Sequence, residues 1–502
     1  MDLLNHLALG FGVALTPVNL LYALIGSLVG TLIGVLPGIG PVATIAMLLP
    51  TTYGLQPVSA LIMLAGIYYG AQYGGSTTSI LLNMPGETSS AVTCLDGHQM
   101  ALKGQAGAAL AIAALGSFFA GCIATVFVAT VAIPLSELAL KFGPAEYCSL
   151  MILGLIGAVV LAHGSLLKAI AMIVLGLLLG IVGTDVNSGM ARFAFGIPEL
   201  TDGIGVVSVA MGLFGFAEII TNLEGSQKRE LVTSKVSSLW LTKDQFKQAW
   251  PAVLRGTGIG SVLGLLPGGG AMLASFGSYA LEKKVAKDPS RFGRGAIQGV
   301  AGPESANNAG AQTSFIPLLT LGIPENAVMA LMVGAMTIHN IQPGPQVMTS
   351  NPQLFWGLVT SMWLGNLMLV VLNLPLIGIW IKLLQVPYRV LYPAILLFCA
   401  IGVYTISNAS FDVSQTAAFG VLGVLFVKLE CEPAPLLLGF VLGPMMEENL
   451  RRALLLSRGD PTVFVTRPIS LAMLLAAALL LVLIVLPNLR KKREEVFEES
   501  ET

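Results

Sequence analysis

Charged residues are scarce in this chain, and that scarcity limits the kinds of protein it can be. Only 11% of its 502 residues are Asp, Glu, Lys or Arg, whereas 55% are hydrophobic. A soluble domain carries about 25% charged residues. Because so few charges cannot cover a chain of this length against water, the composition predicts a protein that is dissolved in lipid.

The sequence also has little that would indicate catalysis or nucleic-acid binding. Its five cysteines are scattered without the spacing of metal ligands, which favours a role as small packing residues. It contains no HExxH, Walker-type or GxSxG motif, and a net charge of −1 does not favour nucleic acid. We therefore expect neither an enzyme nor a resident cofactor. The first residues lack the positive region of a cleaved signal peptide.

The sequence contains long apolar runs. They cover residues 20–36, 108–133, 166–182, 354–380, 391–404 and 471–486. Only helices and closed barrels satisfy their backbone within lipid, and these runs lack the alternating polarity of barrel strands. We expect an all-α polytopic membrane protein with about 10–12 transmembrane helices of roughly 20 residues, plus re-entrant hairpins.

An internal repeat divides the chain into two related halves. Residues 30–40 resemble residues 260–270, and residues 75–80 match residues 310–315. A third match, in the same order, pairs Pro85-Gly86-Glu87 with Pro324-Glu325-Asn326. Three ordered matches favour a duplicated unit over Gly-rich loops that arose separately.

The positions of Lys and Arg predict how the halves are oriented, because cytoplasmic loops carry an excess of both residues. Cations cluster in residues 228–255 and 283–294 and in the tail 490–493. We expect these segments, including the C-terminus, on the cytoplasmic side of a bacterial inner membrane. The expected divisions are a first repeat at 1–222, a cytoplasmic linker at 223–250, a second repeat at 251–465, and a terminal helix with a charged tail at 466–502.

Two apolar hairpins support an inverted arrangement of the repeats. The hairpin in the second half has basic flanks at both ends, whereas its counterpart in the first half has none. The two hairpins are therefore expected to enter from opposite faces, as in many secondary transporters. The expected turn residues are Pro37, Gly38, Gly40, Pro267, Gly268 and Gly270.

Two polar stretches, interrupted by Gly and Pro, lie at equivalent positions of the halves. Non-helical backbone at membrane depth is tolerated where it lines a cavity or is buried in protein, and paired breaks typify transport sites. The alternative is that their hydroxyl groups only join helices. The residues expected to bind substrate are Ser76, Thr77, Thr78, Ser79, Asn83, Pro85, Gly86, Asn307, Asn308, Gln312, Thr313, Ser314, Pro324 and Asn326.

The chemistry of these stretches suits an anion accompanied by cations. Hydroxyls and the partial positive ends of broken helices favour a carboxylate, while unwound carbonyls and Asn oxygens favour sodium. Neither stretch contains Lys or Arg. Carboxylates inside a membrane are costly and usually functional, so Glu87, Glu304 and Glu325, with Asn308, are the candidates for binding sodium or protons. Exposure of the three acids in flanking loops is the alternative.

At these residues the chain resembles the large membrane subunit of the bacterial tripartite tricarboxylate transporters. The resemblance covers nearly the whole chain. Its motifs are LPGIG at 36–40, LNMPG at 82–86, CLDG at 94–97, FGRGA at 292–296, PESANN at 303–308, LGIP at 321–324 and IQPGP at 341–345.

The resemblance implies uptake of citrate-like or other organic carboxylates, driven by a cation gradient. It also implies a small four-helix membrane subunit and a periplasmic solute-binding protein as partners, and a homodimer is one form of assembly to consider. In the family pattern the second LGIP motif is usually followed by Gly, whereas this chain has Glu325. An added carboxylate there would repel a tricarboxylate or bind a cation. The alternative function is a gated ion channel.

Overall fold

The structure, a computed structural model, describes residues 3–36, 40–161, 165–185, 188–224, 239–266, 270–384 and 388–485. Its α-helices are α1 Leu3–Ala14, α2 Pro17–Val35, α3 Pro41–Leu48, α4 Pro57–Leu82, α5 Ala91–Thr93, α6 Gln99–Leu102, α7 Ala106–Ala139, α8 Pro144–Leu161, α9 Leu166–Gly180, α10 Val206–Ala210, α11 Ala217–Glu224, α12 Lys243–Leu263, α13 Gly270–Val285, α14 Gln298–Thr313, α15 Phe315–Leu321, α16 Ala327–Ile338, α17 Val347–Ser350, α18 Pro352–Asn373, α19 Ile377–Leu383, α20 Tyr388–Ser407, α21 Ser410–Lys428, α22 Pro433–Leu456, α23 Val463–Thr466 and α24 Pro468–Val485.

Other regular structure is short. The 3₁₀ turns are Leu49–Thr52, Thr88–Ser90, Pro198–Asp202 and Pro289–Arg291, and the π-helical turns are Cys94–His98 and Met211–Phe216. Two two-residue strands, β1 Gly183–Thr184 and β2 Ala191–Arg192, pair antiparallel.

Four helices in the described part of the chain are long and apolar enough to cross a bilayer, judged by length and composition: α2, α7, α18 and α21. Seven shorter apolar helical segments accompany them. Proline opens α2, α3, α4, α18 and α22, where its fixed φ fits the first turn and its missing N–H is not needed. The prediction of an all-α polytopic membrane protein is confirmed.

Small residues bring α2 and α4 into close contact. A Cβ atom added to Gly30 would lie 2.9 Å from Gly70 Cα, and one added to Gly70 would lie 2.8 Å from Thr31 N. Without a hydrophobic force between helices in lipid, such close backbone packing is a main source of helix association. Glycine is therefore required along this seam.

The second half repeats this packing between α12 and α14. Gly256 lies against Gly302, and Gly260 lies against the Ala306 carbonyl. A Cβ added to Gly264 would lie 2.7 Å from Gly310 Cα. The glycines of α12 follow those of α2 at the offset of the sequence repeat, so the two halves share one packing arrangement. Their inverted orientation stays a prediction.

The helices α4 and α14 form the centre of the molecule. Every residue from 59 to 82 and from 299 to 313 is buried. The long helix of each half packs against the central helix of the other, since α7 contacts α14 and α18 contacts α4. The polar faces of α4 and α14 therefore meet protein on all sides.

The predicted hairpin turns and the predicted division of the chain lie only partly within the described residues. The turn residues Pro37, Gly38, Pro267 and Gly268 lie outside the described residues, while Gly40 precedes α3 and Gly270 begins α13. The division into two repeats, a linker and a terminal segment stays a prediction. Helix α12 begins at Lys243, within the stretch assigned to the linker.

Candidate substrate and ion site

The first polar stretch consists of a continuous helix followed by a break. Ser76 and its hydroxyl neighbours lie in the last turns of α4, not in the break itself. The helix ends where Asn83 adopts the left-handed conformation, with φ of 56°, a conformation that Asn tolerates better than most residues. Asn83 and Pro85 are exposed, whereas Gly86 packs against the Gly34 carbonyl.

The second polar stretch has the same plan with one additional bend. Asn307, Asn308, Gln312 and Thr313 of the predicted set occupy α14, and the chain turns at Ser314 into the short helix α15. The break follows at Gly322, with φ of 74°, and continues through Pro324. Asn326 ends it as the N-cap of α16, where its Oδ1 accepts a hydrogen bond from Met329 N at 2.9 Å.

The carboxylate of Glu304 joins the two stretches. Ser76 Oγ of α4 donates to its Oε2 at 2.5 Å, and Thr93 Oγ1 donates to its Oε1. Asn307 Nδ2, one turn along α14, donates to Oε2 at 3.3 Å. Since Glu304 is 0% exposed, the predicted residues Ser76, Asn307 and Glu304 form one buried cluster between the halves.

Asn308 extends this cluster towards α7. Its Nδ2 lies 2.8 Å from Ser117 Oγ and 2.7 Å from Asn307 Oδ1. Ser117 Oγ in turn lies 3.2 Å from the Glu304 carbonyl oxygen. Asn308 Oδ1 and both amide atoms of Gln312 are buried without a hydrogen-bond partner among the described residues. Buried polar groups are normally satisfied, so these unpartnered atoms are candidates for binding a water or a ligand.

Glu87 occupies a second polar cluster beside the first break. Gln72 Nε2 of α4 donates to Glu87 Oε2 at 2.9 Å, and Ser89 Oγ donates to Oε1. Ser89 Oγ also lies 2.7 Å from Gln72 Oε1. The loop thus folds back onto α4, and its carboxylate is half-buried against that helix.

Glu325 occupies a third cluster, beside the second break. Its Oε1 accepts a hydrogen bond from Gly270 N at 2.8 Å, and its Oε2 accepts one from Asn326 Nδ2 at 2.6 Å. Asn326 Nδ2 also donates to Tyr68 Oη of α4 at 3.1 Å. At 1% exposure, Glu325 is not a loop residue in solvent.

One face of α4 serves all three acids. Tyr68, Gln72 and Ser76 follow at intervals of four residues, so they lie above one another on that face. Tyr68 accepts a hydrogen bond from Asn326, which also binds Glu325. Gln72 binds Glu87, and Ser76 binds Glu304. The sequence analysis missed Tyr68, Gln72, Thr93 and Ser117, although the four-residue spacing of polar groups on an apolar helix was a usable signal for the first two.

The other hydroxyls of the polar stretches bind backbone. Thr78 Oγ1 donates to the Gly34 and Val35 carbonyls at 3.1 and 3.0 Å. Ser79 lies against Ser90, while Ser314 donates to a carbonyl of its own helix. Thr313 Oγ1 likewise contacts carbonyls of α14 and the Gly260 carbonyl at 3.4 Å. In this conformation Thr78 and Thr313 join helices, whereas Ser79 binds the turn that follows α4 and Ser314 binds within its own helix.

Thr77 differs from these hydroxyls because it lines a small cavity. Ser76, Tyr73 and Asn373 line it as well. The space admits about one water molecule. A carboxylate substrate is larger, so it could enter here only after the helices around the cavity separate.

Cations do not neutralise the three acids in the described part of the chain. The arginines with buried acidic partners lie elsewhere: Arg255 binds Glu282, Arg451 binds Asp185, and Arg467 binds Glu146. Groups of three or more His, Cys, Asp or Glu that could hold a metal are likewise lacking among the described residues. A sodium ion would therefore need hydroxyl, amide and carbonyl oxygens beside a single carboxylate.

Asp96 positions the central helix of the second half. Its carboxylate accepts hydrogen bonds from Gly295 N and Ala296 N, each at 2.7 Å, and from Tyr279 Oη at 3.0 Å. These donors lie just before α14 and on α13. A negative charge at the start of a helix is favourable, so Asp96 fixes α14, which carries Glu304, against the first half.

The fold and this site define a polytopic helical membrane protein with buried carboxylates between two similarly packed helix pairs. The chain belongs to the tripartite tricarboxylate transporter TctA family, whose model matches residues 20–438. This agrees with the family resemblance drawn from the sequence motifs.

Two curated relatives come from Agrobacterium vitis. An uncharacterized 52.8 kDa protein in the TAR-I ttuC' 3'region is 60% identical over 501 residues, which cover 100% of both chains. An uncharacterized protein in the TAR-II ttuC' 3'region is 60% identical over 242 residues, covering 48% of this chain and 100% of that relative. No solved structure matches the chain.

Proposed function

We propose that this chain is the membrane-translocating subunit of a bacterial secondary transporter for organic di- or tricarboxylates such as citrate, driven by a sodium or proton gradient. Membership of the TctA family supports the transporter class. The observation that carries the coupling is the buried Glu304 carboxylate of α14, whose hydrogen-bond donors among the described residues are hydroxyl and amide groups.

Charge explains why such a site would couple substrate to cations. A carboxylate in a low-dielectric interior repels an incoming anion strongly unless a cation or proton neutralises it. Binding of sodium or a proton at Glu304 therefore favours binding of the anionic substrate, and each stabilises the other. Glu87 and Glu325, which lie beside the same face of α4 as Ser76, are further positions for coupling ions.

The substrate is proposed to bind between α4 and α14, at the unpartnered amide atoms of α14 and the hydroxyls of α4 that line the small cavity. Asn308 and Gln312 supply amide groups from α14, and Ser76 and Thr77 supply hydroxyls from α4. Since the cavity is too small for a carboxylate in this conformation, transport requires the two halves to open alternately. Inverted repeats would give the two openings similar geometry on opposite faces.

We further propose two partners and an orientation. A periplasmic solute-binding protein would deliver the carboxylate, and a small four-helix membrane subunit would complete the complex. The word tripartite in the family description supports further components. The complex would lie in the inner membrane with the C-terminal tail in the cytoplasm, and a homodimer of this chain is an assembly to test.

Collapse of the ion gradient tests this function. Membrane vesicles containing the chain and both partners are expected to accumulate radiolabelled carboxylate, because inward flow of the coupling ion drives it. Accumulation should stop when an ionophore for sodium or for protons removes the relevant gradient, and the effective ionophore identifies the ion. The measurement is uptake against time with each ionophore in turn.

Two results would contradict the proposal. Uptake that reaches equilibrium without accumulation, together with substrate current in the absence of a partner ion, would instead indicate the gated channel. Accumulation that persists with both gradients collapsed would exclude gradient coupling. Ser305→Ala is a control variant, since the Ala301 carbonyl of the same helix is the hydrogen-bond partner of Ser305 Oγ among the described residues. It should transport like the wild type.

A further inference from the structure

A groove lies beside the start of α12, apart from the polar clusters of the centre. Its volume is about 660 Å³, within the range of roughly 300–1,000 Å³ that is usual for ligand sites. Leu115 lines it from α7 and Leu374 from the end of α18. Residues 239–243, Phe246 and Lys247 line it from the segment that leads into α12 and from the first two turns of that helix. Three separate parts of the chain therefore form its walls.

Aromatic contacts hold the first turns of α12 against α7 at this groove. Phe246 stacks on Trp250 with ring centroids 5.5 Å apart, and Phe119 of α7 meets Trp250 edge-on at 4.7 Å. Leu115 lies one turn before Phe119 on α7, so the groove adjoins this aromatic contact. Thr242 starts α12 with a reciprocal capping box. The walls of the groove are therefore fixed by packing and by a helix cap.

The groove lies near the ends of two helices that are long and apolar enough to cross a bilayer. Helix α7 begins at Ala106, so Leu115 is in its third turn, and Leu374 follows the last residue of α18. A surface at this level meets acyl chains on one side and lipid headgroups on the other. Trp240, which lines the groove, is 88% exposed, and Trp is enriched at membrane–water interfaces.

Two lysines give the groove a positive end. Lys243 and Lys247 are four residues apart on α12, so they lie on one face of the helix, and both line the groove. The described lining contains no acidic residue. Cations near a helix start are unfavourable because that end carries partial positive charge, and Asp244 in the first turn offsets only part of this cost. A bound anion would offset the rest.

We propose that this groove binds an anionic phospholipid, with the phosphate headgroup on Lys243 and Lys247 and an acyl chain against Leu115 and Leu374. A phospholipid has the same two ends as the groove, one anionic and one apolar. Basic pockets between spanning helices recognise such headgroups. On the predicted orientation of the chain, the lipid comes from the cytoplasmic leaflet. The site is separate from the carboxylate site, so the assignment does not rest on the proposed function.

Lipid binding to the full-length chain, purified in detergent, tests the positive end of the groove. The probes are phosphatidylglycerol, which is anionic, and phosphatidylcholine, which is zwitterionic, with the same acyl chains. Native mass spectrometry measures the affinity for each lipid, and the wild type is expected to prefer phosphatidylglycerol. Lys243→Gln/Lys247→Gln should weaken binding of phosphatidylglycerol by about tenfold or more, because each lysine near the headgroups attracts anionic lipid. Binding of phosphatidylcholine should not change.

Matched variants control for charge and for size. Lys284→Gln/Lys287→Gln removes the same charge from exposed positions at the end of α13 and should bind lipid like the wild type. Leu115→Trp fills the groove and should weaken binding of both lipids by about tenfold. Leu138→Trp is its control, because Leu138 lies on the same helix with the same 42% exposure but does not line the groove. Leu374→Trp fills the groove from α18 and replaces Leu115→Trp if thermal denaturation shows that variant to be unfolded.

Three results would overturn the assignment. Equal weakening by both pairs of lysine substitutions would mean that net charge attracts the lipid, without a site at α12. Unchanged binding in both tryptophan variants of the groove would exclude it as the place of the acyl chain. Normal lipid binding by Lys243→Gln/Lys247→Gln, together with loss of a co-purifying membrane subunit, would make the groove a protein contact instead. Because the readout is lipid binding, a chain that transports no carboxylate would leave the assignment intact.

Discussion

Glu304→Gln is expected to lower gradient-driven carboxylate uptake by about 100-fold or more while the protein remains in the membrane. Glutamine keeps the size of the side chain, and its one amide oxygen can still accept a hydrogen bond from Ser76 or from Thr93, while its NH2 group can donate to the other hydroxyl. It can no longer alternate between a charged and a neutralised form. Because the proposed coupling depends on that change, net accumulation should be lost.

Counterflow distinguishes this effect from simple damage to the site. Vesicles loaded with unlabelled substrate should still exchange it for labelled substrate through the Glu304→Gln variant, since exchange needs no net ion movement. Ser305→Ala, on the adjacent position of α14, should retain both activities. Loss of exchange together with uptake would assign Glu304 to the structure of the site, and normal uptake would remove it from coupling.

The class of protein could be predicted from the sequence because few physical constraints determine it. Scarce charge and long continuous apolar runs leave only membrane helices. The repeat also predicted how helices pack in each half, since glycines such as Gly30 and Gly260 recur at the same offset and pack their helices in the same way. Backbone approach requires glycine, so its spacing carries structural information.

The partners within the site were harder to predict because they depend on contacts between distant parts of the chain. Glu304 lies 228 residues from Ser76, 211 from Thr93 and, through its carbonyl, 187 from Ser117. No local sequence pattern predicts such pairs of distant residues. The break was also inferred too broadly, because Ser76 remains helical and the turn begins only at Asn83. A single helix accommodates buried hydroxyls when backbone carbonyls or a neighbouring carboxylate accept their hydrogen bonds.

Glycine packing leads to the second large effect, at Gly260 of α12. Gly260→Ala is expected to lower the free energy of unfolding by about 2 kcal/mol or more, as overpacking of a tight interface does. The added methyl group would collide with the Ala306 carbonyl and lie 2.8 Å from Ala309 Cβ. Helix α14 would have to move, and it carries Glu304, so uptake should fall as well. Thermal denaturation in detergent measures the loss.

Gly258 provides the matched control on the same helix. A Cβ added there meets nothing within 4 Å, so Gly258→Ala gains the same intrinsic helix preference, about 1 kcal/mol, without any collision. It should be at least as stable as the wild type. The contrast separates backbone packing from helix propensity, because both variants add one methyl group two residues apart. Equal stability of the two variants would mean that α12 and α14 do not approach closely at Gly260, and the shared packing of the halves would lose its basis.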